Sequence, residues 1–176
     1  SEKEELLRKA KEVIDRIRKE LEELLRRARE VNKDSRRTVE EVLRKAREVS
    51  ERVRKASERG TDDKEELAKE NERLVRELEE EVKKLHDDDR KKDETLRREV
   101  EELARRIRKL LKELEEEVGR DEELDDLRRR AEELLKRAED EIRKLHEENK
   151  RSNEEAERAI RELAKRNKEL DDKTRE

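Results

Sequence analysis

The residues of this chain that could do chemistry fall in three stretches, Asn32 to Thr38, His86 to Asp93 and His146 to Asn153. Together these hold both histidines and Asn32, Ser35, Thr38, Asp89, Asp93, Asn149, Ser152 and Asn153. Histidine and aspartate ligate metals and carry protons, serine beside histidine is the start of a nucleophile, and asparagine both donates and accepts hydrogen bonds. One metal ion would need the two histidines close together. Folding the chain into hairpins sets their levels about 10 Å apart, two helical turns, too far for bonds of ~2 Å to a single ion. No oxyanion site stands near Ser35, so a serine–histidine contact there reads as a plain hydrogen bond. The expectation is no catalytic residue, no metal and no cofactor, and a candidate polar network made of the ten residues just named.

Helices must position these groups. Of 176 residues, 62% are charged and 27% hydrophobic, with no aromatic residue, Cys, Met or Pro. The 53 basic residues nearly cancel the 57 acidic ones. Disorder usually accompanies high net charge or low complexity, whereas this mixture of Ala, Glu, Lys, Leu and Arg is that of long helices. A slightly acidic chain without aromatic stacking platforms is not expected to bind nucleic acid. Without an apolar run of membrane-spanning length, no membrane association is expected, and the chain reads as soluble. Nothing marks a cellular compartment.

The two glycines, Gly60 and Gly119, divide the chain into thirds, each sitting where one helical pattern ends and the next begins. Ser1 with Glu4, Asp62 with Glu65, and Asp121 followed by Glu122 and Glu123 are helix-start signals. Within the first third an 18-residue unit recurs: Glu4 to Leu21 reads EELLRKAKEVIDRIRKEL, Glu22 to Val39 reads EELLRRAREVNKDSRRTV, and Glu40 to Ser57 reads EEVLRKAREVSERVRKAS. Eighteen residues are five turns of an ideal helix, so this period holds an apolar face on one side without supercoiling. A heptad seam from Leu7 through Ile14 and Leu21 exists, but its companion seam runs into Lys45 and Arg52. The later thirds repeat likewise, with Leu67, Leu85 and Leu103 in one slot and Leu124, Ile142 and Ile160 in another.

The expected fold is all-α: an elongated antiparallel up-down-up three-helix bundle, straight rather than supercoiled, with residues 1–176 as one domain. Its helices should span about 2–59, 62–118 and 121–175. The first third carries 20 basic and 15 acidic residues, the second 16 and 22, the third 17 and 20, which favours packing of the three on one another.

Set against the repeat, the three polar stretches occupy slots that are apolar elsewhere. Asn32 stands in the slot of Ile14, Ser35 in that of Ile17 and Val53, and Asp93 in that of Val75 and Leu111. Lys92 takes the slot of Leu74 and Leu110, Ser152 that of Leu134, and Asn153 that of Leu135. Folding at the glycines sets Ser35 level with His86 and Asn153, Asn32 with Asp89 and Asn149, and Asp93 with His146. The leading reading is a hydrogen-bond network that fixes helix pairing. The alternatives are a break at the middle of each helix, giving six shorter helices, a ligand site, and a solvated layer. Thr38-Val-Glu-Glu41 and Ser152-Asn-Glu-Glu155 have the form of capping boxes, which supports breaks; the lack of Gly and Pro there opposes them.

The repeat, capped termini, glycine turns, missing aromatics and polar layer together resemble a de novo designed parametric helical bundle with a buried hydrogen-bond network. The resemblance implies a structural scaffold without enzymatic activity, a monomer needing no partner, with a homo-oligomer as the alternative. Binding of a polar ligand or partner helix at the polar layer, or self-assembly, are the other functions it allows. Spectrin-type three-helix repeats share the topology but have a core tryptophan and supercoiled heptads that this chain lacks.

Overall fold

Ser1 opens the first helix as a cap. Its Oγ accepts the Glu4 amide at 3.3 Å and its carbonyl accepts the Glu5 amide at 3.2 Å, which satisfies two amides that the helix leaves without internal partners. The helix, α1, runs from Glu2 to Arg59, followed by α2 from Lys64 to Val118 and α3 from Glu122 to Arg175. In the computed structural model the described residues are 1–59 and 64–175, excepting the side chains at 57, 59, 64 and 170–175. The expected start at Asp62 and turn at Gly60 lie outside the described residues.

Gly119 ends α2 with φ of 74°, and its amide donates to the Glu115 carbonyl at 2.9 Å. That backbone region carries no penalty only for glycine. Asp121 then caps α3, its Oδ1 accepting the Glu123 amide at 2.8 Å. Lys3 reaches the same carboxylate at 2.5 Å, and its hydrogen bond, with that of the Glu123 amide, holds Asp121 below the usual carboxylate range. At the acidic end of α2, Glu115 is lowered by Arg128, which sits 2.7 Å away on α3.

The helices do not break at the polar stretches. Residues 32–38, 86–93 and 146–153 are helical throughout, so the six-helix alternative is set aside. Thr38 shows why its capping signal went unused: its hydroxyl donates to the Asp34 carbonyl at 3.1 Å, one turn back in the same helix. Such a back-bond satisfies the side chain without interrupting the backbone ladder.

All three helices pack on one another in two compact units. The first comprises Ser1–Val31 and Lys91–His146. Its core draws Leu7, Ile14 and Leu21 from α1, Val100, Ile107 and Leu114 from α2, and Leu124, Leu135 and Ile142 from α3. Ion pairs Arg106–Glu20 and Arg27–Glu99 run in opposite chain order, so α1 and α2 are antiparallel here, as Arg108–Glu132 and Arg128–Glu115 show for α2 and α3. The second unit comprises Asn32–Arg90 and Glu147–Glu176. Its core is valine-rich, with Val39, Val42, Val49 and Val53 of α1 against Val75, Leu78 and Val82 of α2 and Ala156, Ile160 and Leu163 of α3.

The charge pattern of the helices is used. Among the described residues α1 supplies the cation in four of its five ion pairs to another helix, through Arg27, Arg29, Arg36 and Lys45, and Lys3 pairs with Asp121 just before α3. Exposed pairs of this kind add little stability each. Lys92 departs from the expectation of a core slot. It is exposed, because its repeat mates Leu74 and Leu110 are themselves only half-buried at the edge of the apolar stripe.

Candidate buried polar site

In the second unit one carboxyl group joins three helices. Asp89 of α2 is 5% exposed, and its Oδ2 accepts the Ser35 hydroxyl of α1 at 2.6 Å and the Asn153 amide Nδ2 of α3 at 3.3 Å. Beside it Asn32 of α1 donates through Nδ2 to Oδ1 of Asn149 on α3 at 2.9 Å. All five side chains are buried. Their helices present them inward because each stands on the apolar stripe, one 18-residue period from a core residue: Ile14 for Asn32, Val53 for Ser35, Ile107 for Asp89, Ala131 for Asn149, Leu135 for Asn153.

The pairing differs in detail from the expected levels. Ser35 bonds to Asp89, not to His86 one turn away. The expectation centred the first turn on Gly60, whereas α1 ends at Arg59 and α2 starts at Lys64, and the later centre slides the facing residue of α2 toward its C-terminal side. His86 is half-buried, and its Nδ1 is buried with no hydrogen-bond partner among the described residues. Thr38 is spent on Asp34, and the half-buried Ser152 has no hydroxyl bond into the cluster among the described residues. Asn153 Oδ1 is likewise buried without a partner there.

In the first unit Asp93 and His146 form a separate group. His146 Nδ1 lies 3.6 Å from Asp93 Oδ2, beyond hydrogen-bond distance, while Arg97 Nε sits 3.1 Å from the same oxygen. The arginine cation already neutralises that carboxyl group. A second histidine or carboxylate does not join them: among the described residues no group of three or more His, Asp or Glu is placed to hold a metal ion. No described helix is long and apolar enough to cross a membrane.

Two buried amides were not among the expected residues. Asn71 is 3% exposed, and Asn167 has both Oδ1 and Nδ2 buried without a hydrogen-bond partner among the described residues. The repeat does carry the signal. Asn71 precedes Asp89 by 18 residues and Asn167 follows Asn149 by the same interval.

No protein-family model and no curated protein matches the sequence. Among solved structures the chain is similar to one described as "Computationally designed three helix bundle", with a TM-score of 0.51, over 99% of this chain and 90% of that one, at 22% identity. At that identity the likeness concerns the fold, an all-α three-helix arrangement.

Proposed function

We propose that this chain is a designed structural scaffold with no enzymatic activity, in which the Asp89 cluster specifies how the three helices pair. The observation that carries this is the single Asp89 oxygen receiving one hydrogen bond from α1 and one from α3. A slipped helix would leave the carboxyl group, a hydroxyl or a carboxamide buried and unpaired, at about 1–3 kcal/mol for each orphaned group. An apolar contact has no such penalty, since a leucine slipped by one turn meets another apolar side chain. Buried polar groups in helical bundles are best attested in this register-setting role. The designed origin is supported by the 18-residue repeat and by the description of the structural neighbour. As a scaffold the chain needs no partner and acts as a monomer.

The reading is tested by replacing the cluster with the apolar residues of its own repeat: Asn32→Ile, Ser35→Val, Asp89→Ile, Asn149→Ala and Asn153→Leu. Sedimentation and amide NMR spectra of the parent should report one monomeric species with one peak per residue, and the variant a mixture of states or oligomers. A variant as uniform and monomeric as the parent would remove the pairing role.

A further inference from the structure

The second unit takes α1 and α2 as one unbroken stretch, Asn32–Arg90, and α3 as a separate piece, Glu147–Glu176. The link from α2 to α3, at Gly119 to Asp121, belongs to the first unit. Within the second unit that piece of α3 is therefore held by its side chains. Among the described residues it gives the core Ala156, Ile160 and Leu163, against five side chains from α1, whereas the preceding half of the same helix buries six in the first unit. It makes one ion pair to another helix, Arg36 with Glu148 at 3.6 Å, and it joins the polar cluster through Asn149 and Asn153. The same piece carries unmet polarity. Of the six buried side-chain atoms without a hydrogen-bond partner among the described residues, three lie on it: Asn153 Oδ1 and both polar atoms of Asn167. Lifting the piece away returns all three to water, so the desolvation imposed on them by closing favours release.

We propose that residues 147–169 of α3 are a releasable strap, loosened by the stranded carboxamide of Asn167, which leaves α1 and α2 of the second unit while the first half of α3 stays packed. Release breaks the Asn153–Asp89 and Asn32–Asn149 bonds. It leaves Ser35 bonded to Asp89, so α1 and α2 remain joined to each other. Local opening draws on regions with few buried apolar contacts, and the strap is such a region beside the first half of its own helix. Release uncovers the face of α1 and α2 that holds Val42, Val49, Leu78 and Val82. Asn167 marks the asymmetry in the sequence. Two repeats before it stands the fully buried Ala131, a side chain with nothing to hydrate, so this source of loosening is confined to the half of α3 that opens.

Native-state amide exchange in the full chain tests it, since a detached helix frays and gives its amides little protection. Amides at Ala156, Ile160 and Leu163 should exchange through an opening about tenfold or more populated than that seen at Leu135 of the same helix or at Val42 and Val49 of α1. That opening should also depend less on denaturant, because it exposes less surface than global unfolding. One common level along α3, or Val42 and Val49 opening together with Ile160, overturns the proposal. The variant Asn167→Ala then tests the cause. It should make the strap open about tenfold less often, against roughly threefold from the higher helix propensity of alanine. A change of threefold or less overturns the proposal equally. The pairing role of the Asp89 cluster is tested separately by the five-residue replacement, so failure of either reading leaves the other in place.

Discussion

The two compact units are cut from the same three helices yet are built on different terms. Among the described residues the first buries 20 apolar side chains in its core, ten of them leucine, and one polar side chain, Asp93. The second buries 11, six of them valine, with Asn32, Ser35, Asn71, Asp89, Asn149 and Asn153 as well. Long, unbranched-at-Cβ side chains remove more surface from water and tolerate many packings; buried amides and hydroxyls contribute little net energy but accept few arrangements. On the function proposed above, that difference is a division of labour along one set of helices, with stability drawn mainly from the first unit and the choice of partner and register from the second.

The five-residue apolar replacement should break the contrast most. Fully burying a branched aliphatic side chain is worth ~1.5–3 kcal/mol, so the variant should resist denaturant by about 5 kcal/mol or more, even as its uniformity falls. Denaturant unfolding followed by circular dichroism measures the gain. Next in size is Ile107→Ala in the first unit, where the side chain is fully buried; a cost of about 2–5 kcal/mol is expected from such a deletion. Removing Asp89 alone, as Asp89→Ala, acts against the direction of the full replacement. It strands Ser35 and Asn153 and should lower stability by about 1–3 kcal/mol, a sign reversal that a purely apolar account of this core does not produce. Val42→Ala, equally buried in the second unit, should cost roughly 1–2 kcal/mol, at ~0.8 per CH₂ removed, and so less than Ile107→Ala.

The smallest effect concerns pH. Asp121 is held below its ordinary value by Lys3 and by the amide it caps. A carboxylate depressed in the folded state adds stability that is present above its unfolded pKa and lost as pH falls through the lower folded value. An Asp121→Asn variant should therefore melt slightly lower than the parent at neutral pH and converge with it under acid, as a thermal titration would show.

Much of this was legible because the helical repeat is so regular. Eighteen residues return a side chain to the same azimuth, which is why Asn32, Ser35 and Asn153 were recognisable on the core face from the repeat, with Asp89 and Asn149 placed level with Asn32 by the hairpin fold. Partner identity was not. Which residue of α2 faces Ser35 depends on where the turn is centred, and moving that centre by about one and a half residues moves the facing position by three, which exchanges His86 for Asp89. Thr38 misled for a local reason, since a threonine that begins a capping box and one that bonds its own preceding turn have the same sequence. Asn71 and Asn167 stand singly among ordinary helix residues rather than in a polar stretch, so only the 18-residue repeat marks them.

Trapping helix register shows whether the Asp89 cluster sets pairing. Lys45 Nζ of α1 lies 3.7 Å from a carboxylate oxygen of Glu81 on α2. Carbodiimide coupling, which joins an amine to a carboxyl group in contact with loss of water, should link Lys45 to Glu81 but not to Asp88, about 10 Å or two turns out of register, as mass spectrometry of a digest would show. In the five-residue apolar background both links should form. If the displaced link stays absent there too, register is set by something other than the buried polar cluster.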